Sequence, residues 1–100
     1  MRIAVMPGSY DPVTLGHVDI IRRASVLFDH IIVAAMINAE KQYCFTVEER
    51  ISFLKDAVKD LKNVTVEYSE EMLYEYVTRK GACAIVKGIR NGKDTDYELW

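Results

Sequence analysis

Four short apolar runs, set apart by helical patterns, constrain this chain more than any other feature. The runs are RIAVM (Arg2 to Met6), HIIVAAMI (His30 to Ile37), VTVEY (Val64 to Tyr68) and CAIVK (Cys83 to Lys87). The second and fourth are almost continuously apolar, as strands covered on both faces have to be. Between the runs lie amphipathic stretches. Val47, Ile51, Leu54, Val58 and Leu61 fall on one helical stripe, and Thr46 with Glu49 forms the capping pair that starts it. Val18, Ile21, Ala24 or Ser25, and Phe28 mark an earlier helix. Met72, Leu73, Tyr76 and Val77 mark a later one, closed by Gly81. Strand and helix alternating in this way predict right-handed crossovers and an α/β fold, a Rossmann-like doubly wound parallel sheet of four strands, whose order is assumed to be 3-2-1-4. In that order strands 1 and 4 meet at the topological switch point, and ligands bind there, beyond the carboxyl ends of the strands. The loop after strand 1 (Pro7 to Leu15) and the loop after strand 4 (Gly88 to Lys93) are therefore expected to face each other.

At 100 residues, half of them hydrophobic, the chain has the size and composition of a single domain spanning residues 1–100. The formal charge of -2 gives no bulk attraction for nucleic acid or a membrane surface, so any positive potential that matters has to be local. No apolar run has the length of a membrane span, and MRIAV enters a strand pattern without a secretory layout, which points to the cytoplasm. Cys44 and Cys83 are far apart with no metal-ligand spacing around them, and they read as small core-type residues.

The stretch VMPGSYDPVTLGH, Val5 to His17, concentrates turn chemistry at the end of strand 1. Gly8 permits a sharp turn, Ser9 adds a hydroxyl, and Asp11 before Pro12 suits a side-chain-stabilised turn. Thr14 is a good N-cap, which places Leu15, Gly16 and His17 in the first helical turn. Gly16 removes a side chain where something has to come close to the backbone. A helix N-terminus offers unpaired N–H donors and favours phosphate. A plain strand-to-helix turn with an exposed histidine accounts for any one of these residues; all of them together point to an anion site. No Walker loop or dinucleotide fingerprint is present. For His17 the helix end favours neutral imidazole, whereas a bound polyphosphate favours imidazolium, and the second is expected to prevail with nucleotide bound. After strand 4, VKGIRNGKD brings Lys87, Arg90 and Lys93 beside Gly88 and Gly92, where an anion-binding loop belongs. Lys41 reads from the residues alone as an ordinary surface lysine, and Tyr74 and Tyr76 as packing.

Taken together, these blocks resemble the bacterial phosphopantetheine adenylyltransferases, within the nucleotidyltransferases that carry a (His/Thr)-x-Gly-His motif. That motif is Thr14-Leu15-Gly16-His17, preceded by Pro7-Gly8-Ser9-Tyr10-Asp11-Pro12. FTVEER (Phe45 to Arg50) and KGIRNGKDTDYE (Lys87 to Glu98) resemble two further blocks, so the likeness covers essentially the whole chain. It implies transfer of the adenylyl group of ATP to 4′-phosphopantetheine, giving dephospho-coenzyme A and pyrophosphate. Magnesium would be carried by the ATP phosphates and not by protein ligands. By the same resemblance, His17, Lys41 and Arg90 would be catalytic, His17 stabilising the pentacovalent transition state. Ser9, Tyr10, Gly16, Gly88, Ile89, Arg90 and Glu98 would join His17 in contacting ATP. Ser9, Lys41, Leu73 and Lys87 would bind phosphopantetheine. A hexameric assembly and feedback by coenzyme A are also implied, with neither nucleic acid nor membrane as partner.

The likeness has departures. Lys87 stands where the family usually has arginine and cannot form a bidentate fork on phosphate. Tyr10 replaces phenylalanine, and Gln42-Tyr43 replaces a typical Lys-Pro. The family continues past the equivalent of Trp100 with a longer helix, a fifth strand and a serine-rich segment that helps bind the ATP phosphates. The resemblance therefore implies a chain lacking the family's C-terminal part, with the fifth strand missing, strand 4 left as an unprotected edge and a helix only beginning at its end. Two other readings stay open: another cytidylyl- or adenylyltransferase of the superfamily, and a non-catalytic nucleotide-binding module.

Overall fold

The computed structural model describes residues 1–38 and 40–88, together with the backbone of Thr95–Leu99. In chain order the elements are β1 (Ile3–Gly8), α1 (Leu15–Leu27), β2 (His30–Met36), α2 (Val47–Ala57), β3 (Val64–Ser69), α3 (Leu73–Lys80), β4 (Ala84–Gly88) and β5 (Thr95–Leu99). The sheet order is β3-β2-β1-β4-β5. The first four strands are parallel and stand in the expected order 3-2-1-4. β1 pairs with β2 from Ile3↔His30 to Gly8↔Ala35, and with β4 at Ala4↔Ala84 and Val5↔Ile85.

The strict alternation of side chains along a strand sorts the core into two layers. Ala4, Met6, Ile31, Val33, Ala35, Ala84 and Val86 pack on one face with Ile21, Ala24 and Phe28 of the α1 segment and Leu54 and Val58 of the α2 segment. Val5, Ile32, Ala34 and Ile85 pack on the other with Tyr76 and Val77 of α3. Two helices on one side and one on the other are what reversing the winding direction at β1 requires. The near-continuous apolarity of β2 follows from this, since five successive residues, Ile31 to Ala35, are buried.

Both expected caps are present. Thr14 caps α1 and Thr46 caps α2, each closing a reciprocal capping box with the residue three positions on. Gly81 ends α3 in the left-handed conformation, at φ 68°. α3 is tied to β3 by a polar cluster. The buried Tyr76 hydroxyl donates to Glu67 Oε1 at 2.5 Å, and Lys80 Nζ lies 2.8 Å from the same oxygen. Both cysteines are free thiols; Cys83 packs against the core as expected, whereas Cys44 is exposed on a loop.

The expectation fails at the end of the chain, where a helix was to begin and β4 was to be an open edge. Thr95–Leu99 is instead a fifth strand, antiparallel to β4, running from Gly88↔Thr95 to Ala84↔Leu99. An isolated helical turn does not repay its nucleation. An extended segment of the same length can satisfy the backbone groups that β4 otherwise leaves unpaired.

Candidate nucleotide and acceptor site

The loop after β1 is held by its own side chains. Tyr10 adopts φ 48°, a left-handed conformation that is uncommon outside glycine and asparagine. Its ring turns back into the core, where its hydroxyl donates to the Met6 carbonyl at 2.9 Å. Burial pushes that hydroxyl well above the usual tyrosine range, so it stays a donor. The ring also explains Gly8, because a Cβ there would lie 3.2 Å from Tyr10 Cε2. The following Asp11–Pro12 peptide is cis.

His17 is the third residue of α1 and completes its cap. The Thr14 N–H donates to His17 Nδ1 at 2.9 Å, and the His17 N–H donates to Thr14 Oγ1 at 3.2 Å. A ring nitrogen that accepts a hydrogen bond carries no proton, so in this arrangement the imidazole is neutral with its proton on Nε2. The expected imidazolium would gain its charge at the cost of the cap. A neutral imidazole keeps the cap and can still offer its Nε2–H to an anion. The Tyr10 ring meets the imidazole edge-on at 5.0 Å between centroids and helps fix its plane.

Four hydrogen bonds tie this loop to residues far away in sequence. Lys41 Nζ lies 3.1 Å from Ser9 Oγ. The two Asp11 carboxylate oxygens accept from the Cys44 and Phe45 N–H groups at 2.6 and 2.8 Å. Asp11 thus serves as a clamp between loops and not as the local turn stabiliser its sequence neighbours suggested. Arg50 Nη1 donates to the Ser9 carbonyl at 3.1 Å, and its guanidinium stacks on the Tyr43 ring at 4.0 Å.

Two concavities meet along Pro7 and Gly8. One, of about 330 Å³, is lined by Met6, Tyr10, His17, Ile20, Val86 and Lys87 and opens between β1 and β4, at the switch point. The other, of about 710 Å³, extends across the ends of β2 and β3, and Ser9, Lys41, Tyr43, Glu71 and Leu73 are among the residues lining it. One is walled by a histidine and a lysine, the other by a lysine, a serine hydroxyl, the two carboxylates of Glu70 and Glu71, and apolar side chains.

A family model described as cytidylyltransferase-like matches residues 5–100. The chain belongs to the cytidylyltransferase-like family. Curated relatives include the phosphopantetheine adenylyltransferase of Caldanaerobacter subterraneus subsp. tengcongensis, 49% identical over 99 residues, and that of Clostridium novyi, 44% identical over 99 residues. In each comparison 99% of this chain is matched, and it spans 62% of the relative's length. The enzyme of the same name from Cutibacterium acnes is 47% identical over 96 residues, covering 96% of this chain and 61% of that one. The solved structure of the lipopolysaccharide core biosynthesis protein from Thermoplasma volcanium GSS1 superposes with a TM-score of 0.67 at 20% identity. It covers 85% of this chain and 72% of that one, and at such low identity it speaks for the fold alone.

In this cytidylyltransferase-like domain the sequence-predicted residues fall into two groups. Ser9, Lys41 and Leu73 line the larger cleft together. Lys87, assigned with them from the resemblance, lines the smaller cavity with His17 and Tyr10 instead. The Tyr10 side chain faces the core, so any phosphate contact from residue 10 has to come from its main chain. Gly16 is exposed, and a Cβ there would meet only Thr14 Oγ1 at 3.6 Å, an ordinary contact. Packing therefore does not demand glycine at position 16. Gly88 ends β4, and its place beside Thr95 is set by the strand pairing. Ile89, Arg90 and the rest of the loop to residue 94 lie outside the described residues. Glu98 lies in β5 opposite Ile85, three positions from Thr95 at the rim, roughly 10 Å along the strand.

Arg50 is the residue that sequence reasoning missed. FTVEER was read for its capping pair and its resemblance, and an arginine in a charged helix reads as surface. Only 1% of Arg50 is exposed. Its signal in the sequence was faint: it stands beside Ile51 and four residues before the buried Leu54, at the border of the apolar stripe.

Proposed function

We propose that this domain carries out nucleotidyl transfer, joining the adenylyl group of ATP to 4′-phosphopantetheine to give dephospho-coenzyme A and pyrophosphate. The observation that carries this reading is the pairing of the two concavities. A cavity walled by His17 and Lys87 adjoins a cleft walled by Lys41, Ser9 and Leu73, with only Pro7 and Gly8 between them. The names of the curated relatives supply the identities of the two substrates.

The reaction suits such a site. The acceptor's phosphate oxygen attacks the α-phosphorus of ATP, the new P–O bond forms, and the bond to the β-phosphate bridging oxygen breaks. The nucleophile is already anionic, so no strong base is needed. The work is to bring two mutually repelling anions into line and to stabilise charge as the pentacovalent state forms. His17 Nε2–H and the N-terminus of α1 act on the α-phosphate. Lys41 and Ser9 hold the acceptor's phosphate, Leu73 lines its arm, and Lys87 with Arg90 neutralises the phosphates between. Gly88, Ile89 and Glu98 join the ATP contacts by the family resemblance. Among the described residues no three His, Cys, Asp or Glu side chains gather to hold a metal ion. Magnesium in this proposal arrives on the phosphate oxygens of the nucleotide. Among the described residues no helix is long and apolar enough to cross a membrane. A homo-oligomeric assembly, hexameric as in the family, cytoplasmic location and inhibition by coenzyme A belong to the same proposal.

The test is pyrophosphate release by the full chain with ATP or CTP, each offered with phosphopantetheine and with other phosphorylated acceptors. ATP with phosphopantetheine is expected to be turned over, and His17→Ala to lower the rate about a hundred- to a thousandfold, the usual loss for one transition-state donor. Turnover with CTP alone would assign the domain to cytidylyl transfer. Tight ATP binding without turnover would make it a nucleotide-binding module.

A further inference from the structure

The geometry points to Arg50 as a positioning residue that sets the sense of the Ser9–Tyr10 peptide and so aims the Tyr10 N–H at an anion; this rests on the proposed nucleotide site. Arg50 is electrostatically misplaced by every local measure. It is almost wholly buried, yet among the described residues no carboxylate pairs with it. Its partners are the Thr46 carbonyl at 3.4 Å, the Ser9 carbonyl at 3.1 Å and the Tyr43 ring. It also stands four residues after the N-cap of α2, where the helix dipole disfavours a cation. A leucine or methionine there would fill the volume without a buried charge, and such replacements are often neutral or stabilising. A chain that keeps a local penalty of this kind usually does so at a functional site.

The contact to Ser9 shows what is gained. In a trans peptide the C=O of one residue and the N–H of the next point in opposite directions, and the Ser9–Tyr10 bond is not among the cis peptides. Arg50 draws the Ser9 carbonyl toward α2, so the Tyr10 N–H is turned away from it. That N–H has no hydrogen-bond partner among the described residues. Turning this peptide over would change ψ of Ser9 and φ of Tyr10 together. The left-handed φ of 48° at Tyr10 is therefore the conformational signature of the state that Arg50 holds. Without the guanidinium the peptide is free to relax to a negative φ. It would then present a carbonyl oxygen, which repels phosphate, where an N–H had been.

Arg50→Met and Arg50→Lys test this, with two readouts that do not depend on one another. The first is the orientation of the Ser9–Tyr10 peptide in a crystal structure of each variant. In Arg50→Met the peptide is expected to turn over and Tyr10 to take a negative φ. The second is calorimetric binding of inorganic pyrophosphate and of ATP, with turnover beside it. Binding is expected to weaken about tenfold, and kcat to fall further, up to about a hundredfold, while KM for the acceptor changes little. Arg50→Lys keeps a charge that reaches the carbonyl and is expected to retain the positive φ and much of the binding; it decides the matter if the methionine variant does not fold. The inference is overturned if Tyr10 keeps its positive φ in Arg50→Met, or if the peptide turns over and anion binding is unchanged. If the unsubstituted chain binds neither pyrophosphate nor ATP, the proposed function is what fails, and the peptide orientation still judges Arg50.

Discussion

Gly8 and Gly16, at the two ends of one connection, answer to different demands. At position 8 the demand is internal, because the Tyr10 ring occupies the space a Cβ would need. At position 16 the protein leaves room for a methyl group and the helix would prefer one. Gly16→Ala is therefore expected to leave stability unchanged or raise it by up to about 1 kcal/mol. If the proposed site is right, the same substitution is expected to weaken ATP binding about tenfold, because the added methyl group would stand where that proposal brings a phosphate to the first turn of α1. Thermal melting and calorimetry on one preparation separate the two effects. Full ATP affinity in the alanine variant would mean that nothing comes close to the backbone at that point. The buried Tyr10 hydroxyl is satisfied by the Met6 carbonyl, which is what lets a phenol sit in this core.

Among the elements, α3 has the clearest dependence on pH. Burial works against the charge of Glu67, but hydrogen bonds from Lys80 and Tyr76 outweigh it and hold the carboxyl below its ordinary 4.5. Stability from this group is present above about pH 4.5 and is lost as the pH falls through the lowered folded value. Burial first, and then the hydrogen bond to Glu67, push the Tyr76 hydroxyl above its ordinary 10.0. The neutral phenol is thus favoured by folding, and its contribution fades as the pH rises past about 10. The melting temperature is expected to be flat between these limits and to fall on either side. Glu67→Gln is expected to shallow the acid limb and to cost about 1 kcal/mol at neutral pH, since water still reaches this partly exposed ion pair and screens it. A melting series across pH with both proteins checks the sign and the window. α3 is also the element whose existence was plain in the sequence while its anchoring was not. The spacing of Leu73, Tyr76 and Val77 marks a helix, but nothing local says that Glu67, nine residues before Tyr76, will accept a hydrogen bond from its hydroxyl.

On the scale of the whole molecule, the rim of the sheet depends on bonds between segments that are remote in sequence. Asp11 joins the β1 loop to residues 33 and 34 positions on. Asp11→Ala removes two charge-assisted hydrogen bonds and is expected to cost about 2 kcal/mol. Hydrogen exchange at the Cys44 and Phe45 amides is expected to accelerate more than at the central strands; uniform acceleration would show that the clamp is not local. Strand and helix order, the N-cap at Thr14 and the capping box of Thr46 with Glu49 were legible because they follow from periodicity and cap chemistry, both local; the order 3-2-1-4 was taken from the fold class and the structure bears it out. The His17 motif was legible because four residues in a row carry it. Three matters were decided only in three dimensions. Thr95–Leu99 became a strand because β4 offered it unpaired backbone groups. Lys87 lines the His17 cavity and not the cleft of Ser9, Lys41 and Leu73 with which the resemblance had grouped it. Arg50 was buried because the Ser9 carbonyl and the Tyr43 ring met it there. Local pattern records which face of an element is apolar. It does not record which distant polar group that face will meet, and at this site those meetings set the charge and the direction of each donor.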